Sequence, residues 1–166
     1  MSRKKVHHTK IADIQQAIDV AIEFLEAYNY HLSPITAEEL LAYFEGEAPS
    51  GDSIELEMVL RSKWLLLHEL VELSELKRRG FTITAELLLS HPEDVFRCHL
   101  IATACELEIA DKEGDDLWIQ KRLQDVQQWL EESTLKADLN EKCLQLLQKY
   151  ADKSHLEEQH QKLIGS

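Results

Sequence analysis

The chain has 166 residues, the length of one ordinary domain. Hydrophobic residues make up 44% and charged residues 30%, the composition of a globular rather than a disordered protein. The formal net charge of −13 repels phosphate backbones and anionic lipid, and no apolar run approaches the roughly 20 residues that span a bilayer. The sequence therefore predicts no nucleic-acid partner and no membrane association. The basic opening, Met1 to His8, has no apolar stretch behind it, so no secretory signal is expected and the predicted location is cytoplasmic.

Helical periodicity of 3.6 runs through nearly every window, and no long alternating segment occurs. The expected fold is all-α: a single-domain bundle of about six to seven helices. Thr9 can cap a first helix over residues 10–30, with Ile11, Ile14, Ile18, Ala21, Ile22 and Leu25 as its apolar stripe. Ser33-Pro34 interrupts it. Thr36 opens a short second helix, with Glu39 placed for a capping box. Gly46 to Gly51 reads as a loop. A long third helix is predicted over 53–78, started by Asp52 and Glu55 and ended by Gly80.

Thr84 starts a short fourth helix, and Pro92 a fifth over 92–111. The third and fifth are apolar on most faces and are expected to be the two central helices. Gly114 separates the fifth from a sixth at 115–132, with Trp118, Ile119, Leu123, Val126, Trp129 and Leu130 inward. A seventh starts near Ala137 and uses Leu139, Cys143, Leu146, Leu147 and Tyr150. Residues 1–9 and 152–166 are polar, as terminal segments that fray commonly are. Ile35-Thr-Ala-Glu-Glu-Leu-Leu recurs as Ile83-Thr-Ala-Glu-Leu-Leu-Leu, which reads as one helix-start solution used twice.

Charge is uneven. Residues 37–76 carry ten acids against Arg61 and Lys63, while the first ten residues hold four basic groups and no acid. A solvated acidic surface is the expected reading, and a cation or a basic partner is the alternative. The three cysteines form no Cys-x-x-Cys pair, and Cys98 and Cys105 would lie about 10 Å apart along one helix. They read as small buried hydrophobes in a reducing compartment.

The chemistry-bearing residues are polar side chains on faces that should be buried. On the third helix Glu57, Arg61, His68, Glu72 and Glu75 share one narrow line, and His68 and Glu72 are i and i+4, so their side chains meet. On the fifth, His99 and Glu106 sit in the middle of an apolar arc, where an unpaired carboxylate is costly. One explanation is a structural network, with Arg61 pairing Glu57 or Glu106. The other is a site formed by His68, Glu72, His99 and Glu106, with Glu57 as a further member, around a divalent metal. Imidazole with carboxylate suits Zn, Mn or Fe rather than Ca.

Two family forms bear on this choice. Glu69-Leu-Val-Glu72 and Glu108-Ile-Ala-Asp111 resemble the paired acidic motifs with which the all-α NTP pyrophosphatases hold Mg around a triphosphate. Here Glu108 falls on the outer face and Glu69 lies off the Glu72 line. Arg61 and His68, six residues between them, are similar in form to the HEPN ribonuclease pattern, but in acidic surroundings that repel RNA. Neither pattern names a family. In the absence of catalytic motifs, the leading expectation is a non-catalytic interaction or regulatory protein, with a protein partner or a homo-oligomer. The alternative is a metal-binding protein or a metal-dependent hydrolase, of nucleotide-pyrophosphatase-like type as one form, with Zn, Mn, Fe or Mg as the ion.

Overall fold

A computed structural model describes residues 11–45, 56–132 and 136–154. Every regular element among them is a helix, which bears out the all-α expectation: α1 (Ile11–Ala27), α2 (Ala37–Glu45), α3 (Leu56–Arg61), α4 (Lys63–Arg78), α5 (Leu87–Ser90), α6 (Pro92–Glu113), α7 (Asp116–Glu131), α8 (Ala137–Lys149) and α9 (Ala151–Ser154). The expected cap at Thr9, the 46–51 loop and the start at Asp52 lie outside the described residues. None of the helices is long and apolar enough to cross a membrane.

The contacts divide the chain into two compact units, Met1–His99 and Leu100–Ser166. The boundary falls inside α6. In the first unit α1 packs on α2 and on α4, and α3 packs on α4. Ile14, Ile18, Leu40, Val59, Leu70, Leu73, Leu76, Val95 and Cys98 form its core. In the second unit α7 packs on α8 and α9. Ile119, Leu123, Val126, Leu139 and Cys143 are buried there, and Cys98, Cys105 and Cys143 are all buried and outside any disulfide.

The helix ends follow local chemistry. At α2 the capping box forms as expected: Glu39 N–H donates to Thr36 Oγ1 at 3.2 Å and Thr36 N–H to Glu39 Oε2 at 3.0 Å. α1 stops earlier than predicted. Asn29 takes a left-handed φ of 61°, and Tyr30 N–H reaches back to the Leu25 carbonyl at 3.0 Å, which closes the helix before Ser33-Pro34 is reached. The same closure recurs at the positive-φ residues Gly80 and Gly114, where glycine carries no steric penalty.

The predicted third helix is two helices. Ser62 is extended, with φ −107° and ψ 117°, and its side chain accepts the Leu65 N–H at 3.2 Å. A serine hydroxyl can replace an intrahelical partner at an N-cap, so Ser62 ends α3 and starts α4. The restart leaves α4 buried on nearly every face, from Trp64 through Leu76, with His68, Glu69, Glu72 and Ser74 among its buried residues. Loop 28–36 is tied to the end of α4. Ser33 N–H donates to Ser74 Oγ at 2.9 Å, Lys77 Nζ donates to the Pro34 carbonyl, and Arg78 donates to the His31 carbonyl.

Candidate metal centre

The line of polar residues predicted on one helix is split, with Glu57 and Arg61 on α3 and His68, Glu72 and Glu75 on α4, and α4 delivers two of them to one place. His68 and Glu72, one turn apart, have only 1% and 3% of their surface exposed. His99 arrives from the first half of α6, with a quarter of its side chain exposed. Its ring lies against His68, with centroids 4.5 Å apart, and against Phe96, with centroids 5.6 Å apart.

Three atoms converge. His68 Nε2 is 3.2 Å from Glu72 Oε2, His99 Nδ1 is 3.0 Å from the same oxygen, and the two nitrogens are 2.9 Å apart. Among the described residues this is the group of His, Cys, Asp and Glu whose ligand atoms meet within 4.8 Å of one another. Protons cannot satisfy all three edges of that triangle. The carboxylate oxygen only accepts, and each ring nitrogen carries at most one hydrogen. If both nitrogens donate to Glu72, the 2.9 Å N···N edge is repulsive; if one donates, two lone pairs face each other on another edge.

A cation removes the conflict, because it replaces three mutual contacts with three bonds to one centre. Ligand atoms on a tetrahedral face at zinc bond lengths lie about 3.3 Å apart, and on an octahedral face about 3 Å apart. The triangle has those dimensions. Two imidazoles and one carboxylate are also the donor set of hydrolytic zinc sites and of non-haem iron sites that keep open positions.

The second oxygen of Glu72 is engaged separately. The Tyr43 hydroxyl, from α2, donates to Glu72 Oε1. Burial works to raise the Glu72 pKa, but the hydrogen bonds and charges of His68 and His99 outweigh it and hold the carboxyl well below the usual carboxylate range. Burial, followed by the negative charges of Glu72 and Glu69, pushes the Tyr43 phenol far above its ordinary value, so it remains a donor.

Glu106, the fourth expected ligand, is not one of the three converging residues. It belongs to the second unit and is fully buried. Arg122 of α7 grips it with two bonds, Nε to Oε1 at 2.8 Å and Nη2 to Oε2 at 3.1 Å, and Trp118 Nε1 also donates to Oε1. Arg61, which the structural-network explanation pairs with Glu57 or Glu106, is exposed at the end of α3. Arg122 takes that role because it lies on the inward stripe of α7, one turn from Trp118 and Ile119. Glu57 is half-buried on α3 and is not one of the three converging residues.

The second acidic pair of the pyrophosphatase-like form has lysine partners of its own. Glu108 bonds Lys112 at 3.0 Å and Asp111 bonds Lys153 at 2.8 Å, both in the second unit. The chain is thus an all-α protein in which one unit gathers two histidines and a carboxylate. Comparison with protein-family models, curated proteins and solved structures finds no match.

Proposed function

We propose that this chain is a metal-binding protein, with His68, Glu72 and His99 as ligands of one divalent transition ion of the Zn, Mn or Fe class. The convergence of His68 Nε2, His99 Nδ1 and Glu72 Oε2 on one point, in a triangle that protons cannot satisfy, carries this reading. Two further features support it. His68 and Glu72 are held on a buried helix, so the donors keep their places without reorganisation. Three protein ligands also leave at least one coordination position for water or substrate, as a hydrolytic centre requires. The partial exposure of His99 gives that position a route to solvent.

The test is direct. Protein purified without a histidine tag and stripped with chelator is titrated with Zn, Mn and Fe(II). The reading expects one equivalent bound by wild type and none by His68→Ala or Glu72→Gln. If wild type takes up no ion, the interaction or regulatory role expected from the sequence is what remains.

A further inference from the structure

We propose that Tyr43 is a positioning residue of this centre: it keeps Glu72 bound through one oxygen and so selects a nitrogen-preferring transition ion over calcium and magnesium. The inference rests on the metal-binding reading and adds to it the mode of coordination and the class of ion.

The two oxygens of Glu72 do different work. Oε2 faces His68 at 3.2 Å and His99 at 3.0 Å, while Oε1 accepts the Tyr43 hydroxyl. A carboxylate can chelate an ion with both oxygens only if both are available. Here the second could turn to the ion only by giving up the phenol. Calcium is served by six to eight oxygens, often with a chelating carboxylate, and magnesium by carboxylates and retained waters. A centre offering two imidazole nitrogens and one oxygen gives neither what it needs.

Tyr43 is also held firmly. It stands on α2, whose first turn is fixed by the Thr36–Glu39 capping box. Lys77 of α4 binds Glu39 at 2.8 Å, and Gln15 of α1 accepts the Ala37 N–H at 2.9 Å. The hydroxyl therefore reaches Glu72 from an element anchored to both neighbouring helices. Partners that orient a metal ligand in this way commonly matter 10- to 100-fold, roughly, in metal affinity.

The experiment uses the full chain and zinc as probe. An infrared difference spectrum between zinc-loaded and metal-free protein reads the coordinating carboxylate, because one-oxygen binding gives a wide separation of its two stretching bands and chelation a narrow one. Wild type is expected to show the wide separation and to keep its zinc in a large excess of calcium. Tyr43→Phe retains the ring and loses the hydroxyl. It is expected to show the narrow separation, with zinc affinity about 10- to 100-fold weaker.

A narrow separation in wild type, or displacement of zinc by calcium, overturns the proposal even if Tyr43→Phe fails to fold. An identical band separation in wild type and Tyr43→Phe overturns it too, since a purely structural tyrosine would lower the melting midpoint and leave the separation alone. Absence of any zinc uptake by wild type is a different result, which removes the metal-binding reading itself.

Discussion

His68 Nε2 and His99 Nδ1 lie 2.9 Å apart, although 31 positions separate the two residues in the chain. Two like nitrogens at that distance are either joined by one shared proton or held by something that binds both. Glu72 Oε2 sits within 3.2 Å of each and excludes the simple shared-proton arrangement.

Removal of His99 should therefore separate structure from function. His99→Ala deletes one vertex of the triangle, and Glu72 keeps His68 and Tyr43 as partners. The variant should stay folded and lose the rise in melting midpoint that zinc gives wild type. An equal rise in both proteins would remove His99 from the ligand set.

Glu106 should behave oppositely. It is fully buried, and Arg122 depends on it for two hydrogen bonds. Breaking one side of a buried pair commonly costs about 3–5 kcal/mol, because the other charge is left uncompensated. Glu106→Gln should lower stability strongly in a urea titration while its response to zinc persists. Loss of the zinc response in a folded Glu106→Gln protein would return Glu106 to the centre.

These contrasts mark what could be read from the residues. The helical class, the cap at Thr36 and the stops at Gly80 and Gly114 are local, and each has its own short-range chemistry in the sequence. His68 with Glu72 was legible because i and i+4 side chains meet on any helix. Tyr43 was not, since its hydroxyl finds Glu72 across 29 positions and nothing nearby signals the partner. Glu106 was legible as a buried carboxylate that needed a partner, but the choice of Arg122 over Arg61 depended on packing. The break at Ser62 was obscured because an apolar pattern continues through it, and only the backbone geometry reveals that its hydroxyl starts a new helix.

That break is itself testable. Ser62 Oγ accepts the Leu65 N–H at the first turn of α4. Replacing an N-cap serine with alanine costs about 0.5–2 kcal/mol. Ser62→Ala should lower the urea midpoint by a corresponding amount with zinc stoichiometry unchanged. A neutral or stabilising effect would mean that α3 and α4 join into one helix without cost.

The pH dependence of metal-free protein follows from Glu72. Its folded pKa is depressed, so it contributes stability above the unfolded value of about 4.3, and that contribution is lost as pH falls toward the folded value. Urea midpoints measured in chelator between about pH 3 and 7 should fall more steeply for wild type than for Glu72→Gln below about pH 4.5. Parallel curves would show that Glu72 titrates normally and that the histidines do not hold its charge.

The most direct test of the account is calorimetric titration of tag-free, chelator-stripped protein with Zn, Mn and Fe(II), paired with melts in the same solutions. The account predicts one equivalent of at least one of these ions. It also predicts stabilisation of about 2.7 kcal/mol when free ion stands at a hundred times its dissociation constant, both absent in Glu72→Gln. A wild-type protein that binds none of the three ions, with a melting midpoint indifferent to all of them, would contradict it.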